Sequence, residues 1–157
     1  MPLLDIWSTS ETAVLEMNIQ QIVSMAGDGV LKDDSDCATE LREFFSQVKR
    51  INLQLYAKHC LEQGFTDSGL VLQDIINEVG YRLGMSVQHG VYRGKRQQNN
   101  CDGIWKSRDW TFIVEVKTTD AYAISLDKIA RYLDVELSDE DYENASCLIV
   151  VGREDSA

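Results

Sequence analysis

Residues 110–119 constrain the fold of this chain more than any other segment. Residues 111–114 and Val116 are bulky apolar or β-branched, which favours a central strand buried on both faces. Glu115 and Lys117 interrupt this run. Because side chains alternate along a strand, these two charged residues are predicted to share one face. Burying them costs free energy unless they pair or bind a ligand, so folding alone does not explain their presence.

A second carboxylate, Asp102, lies in a shorter stretch of strand character just before this central strand. An antiparallel hairpin of the two strands can bring Asp102 and Glu115 side by side. Together with the backbone carbonyl of Val116, they form an oxygen donor set that suits Mg²⁺. Lys117 at the edge of that set can activate water or offset charge on a phosphate.

The order of predicted elements indicates an α/β protein of the α+β kind with a mixed sheet. The first third is predicted to be helical, with one long helix between the caps at Ser8–Ser10 and Gly27. The second half is predicted to run helix, strand, strand, strand, helix, strand. The further predicted helices are 36–48, 52–63, 70–83 and 124–137, and the strands are 85–92, 101–106, 110–119 and 146–151.

Asp102, followed 13 residues later by Glu115-Val116-Lys117, resembles the PD-(D/E)xK signature of the restriction-endonuclease-like superfamily. The element order of 68–151 is similar to the αβββαβ core of that superfamily, with the Asp on the second strand and the (D/E)xK on the third. The resemblance implies a nuclease-like core at 66–157, which the chain's end could truncate, and leaves 1–65 as a helical region packing on it.

The Mrr-like branch is the most similar, because its first helix carries a Glu 11 residues before a glycine that ends the helix. Counting back from Gly84 gives Gln73, which is neutral and departs from the family pattern. Cys101 stands where the signature has its proline. An ordinary helix residue is the competing interpretation of Gln73.

The resemblance implies a Mg²⁺-dependent DNA endonuclease in which Mn²⁺ can substitute. Its catalytic residues are Asp102, Glu115, Lys117 and Gln73, and its metal ligands are Asp102, Glu115 and the Val116 carbonyl. A homodimer is one expectation, since cutting both strands usually requires two sites. The alternative is a weakly active or inactive module of the same fold that binds nucleic acid or another protein.

Charge is unevenly distributed along the chain. The net charge is −11, but residues 85–131 carry eight basic and five acidic residues, a local charge of +3. Such a region can contact a phosphate backbone, and a solvated surface is the competing interpretation. The candidate nucleic-acid contacts are Arg93, Lys95, Arg96, Lys128 and Arg131.

Other classes of protein fit the sequence poorly. The four cysteines form no CxxC pair, which argues against a zinc knuckle or a disulfide framework and favours reduced thiols in the cytoplasm. No apolar run is long enough to cross a membrane. Two structural alternatives stay open: Glu115 and Lys117 as a surface salt pair, and Asp102-Gly103 as a simple turn.

Overall fold

The computed structural model describes residues 2–92, 101–118, 125–136 and 144–152. The chain divides into two compact units, 1–78 and 79–157. The boundary falls inside a helix, α6. In chain order the elements are α1 Pro2–Thr9, α2 Glu11–Leu15, α3 Ile19–Met25, α4 Asp36–Gln47, α5 Arg50–Glu62, α6 Ser68–Arg82, β1 Ser86–His89, β2 Gly103–Lys106, β3 Thr111–Lys117, α7 Leu126–Glu136 and β4 Ala145–Val151.

The prediction of one long helix between Ser10 and Gly27 is wrong. The chain forms α2 and α3 instead, because Asn18 builds a capping box with Gln21 that begins a new helix. The Asn18 side chain accepts from the Gln21 N–H at 2.9 Å, and the Gln21 side chain accepts from the Asn18 N–H at 3.0 Å. This reciprocal pair satisfies two backbone donors, so the local signal overrides the apolar periodicity.

Aromatic side chains form the centre of the first unit. Phe44 and Phe45 on α4 and Tyr56 on α5 are fully buried, and their rings contact one another at centroid distances of 5.9–6.4 Å. Trp7 of α1 meets Phe44 edge to face at 5.2 Å. Such ring pairs add to the free energy gained from burial of apolar area.

A buried carboxylate, that of Glu40, joins three segments of the first unit. Glu40 lies on α4 with no exposed surface, and its two oxygens accept from the backbone N–H groups of Leu4 and Gly27. Gly27 has a φ of +50°, and a Cβ there would lie 2.3 Å from the backbone of Asp36. Only glycine fits this approach, so Glu40 and Gly27 together fix α1 and the end of α3 against α4.

The buried side of α6 differs from the apolar stripe that the helical spacing of Leu72, Ile75, Ile76, Val79 and Leu83 predicts. Leu72 and Ile75 are buried as expected, but Val79 and Leu83 are exposed. The buried positions include two pairs of polar residues spaced four apart, which lie on one side of the helix. These are Gln73, Asp74, Asn77 and Glu78.

The second unit contains a four-stranded mixed sheet in the order β1-β2-β3-β4. β1, β2 and β3 are antiparallel neighbours, and β4 runs parallel to β3. The predicted α+β class and the predicted hairpin of β2 and β3 are confirmed. β3 is a central strand, paired with β2 and with β4, and a central strand covered on both faces favours an apolar run.

Helical segments pack on both faces of this sheet. On one face Ile104 and Ile113 form a buried cluster with Cys101 and with Tyr132 of α7. On the other face Gly80, in the last turn of α6, lies so close that a Cβ there would meet the Trp105 ring at 2.6 Å.

Within the described ranges, no helix combines the length and apolar character needed to span a membrane.

Replacing Glu40 with alanine is expected to lower the free energy of unfolding by about 3 kcal/mol, because two buried N–H groups lose a charged acceptor. Chemical denaturation of the full chain measures this. Glu43→Ala is the matched control, since Glu43 lies on the same helix and is exposed. Equal losses in the two variants would contradict the role assigned to Glu40.

Candidate functional site

The β2–β3 hairpin brings Asp102 beside the part of β3 that contains Glu115. Gly103 pairs with Val114, and the Asp102 N–H donates to the Val114 carbonyl at 2.9 Å. This bond is one residue out of the strand register, so regular pairing ends at Gly103 and Asp102 lies beside Val114, the residue before Glu115 in β3. Because Gly103 begins a paired strand, the interpretation of Asp102-Gly103 as the hairpin turn is wrong.

The Asp102 carboxylate is held by the backbone of β3. Its Oδ2 accepts from the Val116 N–H at 2.6 Å, a short distance typical of a charge-assisted hydrogen bond. In an antiparallel strand the N–H and C=O of one residue point to the same side. The Val116 carbonyl therefore faces the side of β3 on which Asp102 lies.

Glu115 and Lys117 form a close ion pair near the end of β3. Lys117 Nζ lies 2.6 Å from Glu115 Oε1, with the Glu115 side chain 4% exposed and the Lys117 side chain 31% exposed. This agrees with the predicted alternation, which put both side chains on one face. A carboxylate this buried requires a compensating cation, so the pair is not the surface salt bridge considered above.

The charge of Glu115 also acts on the neighbouring strand. Cys147 of β4 pairs with Ile113, two residues before Glu115. Burial, and then the charge of Glu115, raise the pKa of the Cys147 thiol above its ordinary value. A thiol kept protonated in this way is a poor nucleophile, so Cys147 belongs to the surroundings of the site rather than to its chemistry.

Gly90 lies against the backbone that carries Asp102, a contact missed in the sequence. Its N–H donates to the Asp102 carbonyl at 3.1 Å. A Cβ at Gly90 would lie 2.0 Å from the Cys101 oxygen and 2.8 Å from the Asp102 Cα. A glycine within a predicted strand is a recognised sign of close backbone approach. Gly90 lies within the predicted strand 85–92, so this contact could have been predicted from the sequence.

Gln73 belongs to the first unit, whereas Asp102, Glu115, Val116 and Lys117 belong to the second. Gln73 is buried on α6. Its neighbour Asp74 accepts from Arg42 Nε at 3.1 Å, and the Asp74 side chain has no exposed surface. Asp74 therefore serves an ion pair within the first unit, which makes it a poor substitute for the acid that position 73 lacks.

The predicted nucleic-acid contacts lie largely beyond the part of the chain that the structure describes. Arg93, Lys95 and Arg96 fall in 93–100, and the side chain of Lys128 is likewise outside the described residues. Arg131 is exposed on α7, where its Nε donates to the Asp127 carbonyl one turn earlier at 3.3 Å.

The donor atoms at this hairpin are the carboxylates of Asp102 and Glu115 and the carbonyl of Val116. Oxygen donors of this kind suit a hard divalent cation that keeps several waters. Glu115 already has a positively charged partner there, the ammonium of Lys117. Within the described ranges, no group of three or more His, Cys, Asp or Glu side chains is arranged to bind a metal, so a cation here would depend on the backbone carbonyl and water.

Comparison with protein-family models, curated proteins and solved structures finds no match.

Gly90→Ala is expected to lower the free energy of unfolding by at least about 2 kcal/mol, because the backbone at Cys101 and Asp102 must move to admit a methyl group. Chemical denaturation measures the loss. Val91→Ala, at the exposed neighbouring position, serves as the control and is expected to change stability little. A Gly90→Ala variant as stable as the parent would show that the backbone contact is not restrictive.

Proposed function

We propose that this protein is a divalent-metal-dependent nuclease of the restriction-endonuclease-like type that hydrolyses phosphodiester bonds in DNA. The observation that carries the proposal is the buried Glu115–Lys117 pair beside the Asp102–Val116 hydrogen bond. The proposed site combines two carboxylates, a carbonyl and an ammonium, which come from β3 and from the residue just before β2. A protein interior selected for stability alone would favour apolar side chains at these positions.

The arrangement of elements supports the same proposal. The order from α6 to β4 is helix, three strands, helix, strand, which is the αβββαβ order that the PD-(D/E)xK resemblance implies. Asp102 stands immediately before β2, and the Glu115-Val116-Lys117 motif ends β3. Both positions are close to those implied by the signature.

In this proposal the Asp102 and Glu115 carboxylates and the Val116 carbonyl hold Mg²⁺ or Mn²⁺. The bound cation supplies positive charge that favours ionisation of water and offsets charge developing on the phosphate. The Val116 N–H orients the Asp102 carboxylate toward β3. The apolar neighbours of Glu115 limit the access of bulk water, which strengthens electrostatic interactions within the site.

Lys117 contributes the ammonium of the site. In hydrolysis it stabilises negative charge on a phosphate oxygen, or it orients the attacking water for in-line displacement. Its partly exposed side chain is compatible with contact to a substrate at the end of β3.

DNA contacts are proposed for the exposed Arg131 on α7 and for Arg93, Lys95, Arg96 and Lys128. Phosphate contacts of this type position a duplex without reading its sequence. Cleavage of both DNA strands requires two sites, which a homodimer would supply. A cytoplasmic location fits this role.

A second candidate function is a non-catalytic module of the same fold. It is favoured by the neutral Gln73 and by the net charge of −11, which weakens attraction to nucleic acid outside the basic segment. Such a module would bind DNA or a protein partner without hydrolysis.

Glu115→Gln, Asp102→Asn and Lys117→Met are each expected to lower the rate of Mg²⁺-dependent plasmid cleavage about a hundredfold or more, because each removes a charge that stabilises the transition state. Cleavage is followed on gels with Mg²⁺ and with Mn²⁺. Asparagine at 102 retains an acceptor for the Val116 N–H, which separates lost charge from lost structure.

Asp109→Asn is the matched control, because Asp109 is an exposed carboxylate in the turn between β2 and β3, and its variant is expected to cleave normally. Equal cleavage by the parent and by Glu115→Gln would overturn the assignment of the site. A parent protein that binds DNA but neither cleaves it nor binds Mn²⁺ would instead favour the non-catalytic module.

A further inference from the structure

Lys117 occupies the position of a counterion to Glu115. Its Nζ lies 2.6 Å from Glu115 Oε1, and the carboxylate side chain is almost fully buried. At this distance the ammonium is in direct contact with the oxygen that faces it. A divalent cation bound through Glu115 needs the same carboxylate.

An ammonium and a divalent cation on one carboxylate repel each other strongly, since the site lies where solvent screening is weak. The Lys117 side chain has room to move away from Glu115, because 31% of it is exposed. Glu115 has no comparable freedom, because its side chain is only 4% exposed.

We infer that Lys117 and the divalent cation compete for Glu115, and that cation binding displaces the Lys117 ammonium away from Glu115 and toward solvent at the end of β3. This inference rests on the proposed function, since it takes Glu115 as a metal ligand. It adds a specific regulation of the site: Lys117 stabilises the buried carboxylate before the cation arrives and is released for the substrate when the cation binds.

The competition has a consequence for substrate binding. A phosphate group that accepts hydrogen bonds from the displaced ammonium favours the state in which Glu115 is available to the cation. By linkage, each ligand then strengthens binding of the other through Lys117. Cation and phosphate binding are thereby coupled by one side chain, without rearrangement of the strands.

The first test is calorimetric titration of the full chain with Mn²⁺ in mildly alkaline buffer, without nucleic acid. Lys117→Met removes the competing charge while keeping a side chain of similar length. It is expected to bind Mn²⁺ about tenfold more tightly than the parent, because the electrostatic repulsion is gone. Lys117→Arg keeps a positive charge and is expected to retain weak binding.

Lys106→Met is the matched control, because Lys106 lies at the opposite end of β2 from Asp102. Its variant loses the same charge and is expected to bind Mn²⁺ like the parent. If Lys117→Met and Lys106→Met gain affinity equally, or if Lys117→Met gains none while the parent binds, the inference is wrong and the metal site stands. If neither the parent nor Lys117→Met binds Mn²⁺, both the metal site and the inference are overturned.

A measurement on the parent protein avoids any folding defect of the variant. In spectra of the uniformly isotope-labelled protein, the Lys117 side-chain signal is identified by its loss in Lys117→Arg. Addition of Mg²⁺ is expected to shift that signal toward the position of a solvated ammonium, together with the backbone signal of Asp102. A shift at Asp102 with no change at Lys117 would overturn the inference and leave the metal site intact.

Discussion

The ion pair between Glu115 and Lys117 is the interaction on which the organisation of the sheet unit depends. Glu115 is buried in β3, which is hydrogen-bonded to β2 on one side and to β4 on the other. A carboxylate in such a strand lowers stability unless a cation offsets its charge, and removing either partner leaves the other uncompensated. The fold thus retains a pair that apolar residues could replace, which is the strongest sign in this unit of selection for something other than stability.

Much of this site could be predicted because strand geometry is simple. Alternation with a period of two puts Glu115 and Lys117 on one face, and the hairpin brings Asp102 beside the same part of β3. The hydrogen bond from the Val116 N–H to Asp102 could not be predicted, because it depends on the side-chain conformation at the first residue before β2. The contact of Gly90 depends on how closely the chain after β1 approaches Asp102, and the local sequence does not specify that distance.

The helical unit was harder to predict, for two physical reasons. Apolar periodicity continues across Asn18, but a capping box is a short-range interaction that stops one helix and begins another. On α6 the apolar periodicity gave Val79 and Leu83 as buried, whereas the buried side includes Asp74, whose partner Arg42 lies 32 residues earlier in the chain. Burial of polar residues follows from such distant partners, which a periodic pattern does not contain.

The two carboxylates of the hairpin are stabilised in different ways, and the difference bears on how an acidic protein could act on DNA. Asp102 is held by a backbone N–H, which adds no net charge, whereas Glu115 is neutralised by Lys117. The three side chains therefore carry a net charge of −1. Under the proposed function a divalent cation reverses that sign, so attraction of a phosphate would depend on the bound cation and the local basic residues rather than on the charge of the whole chain.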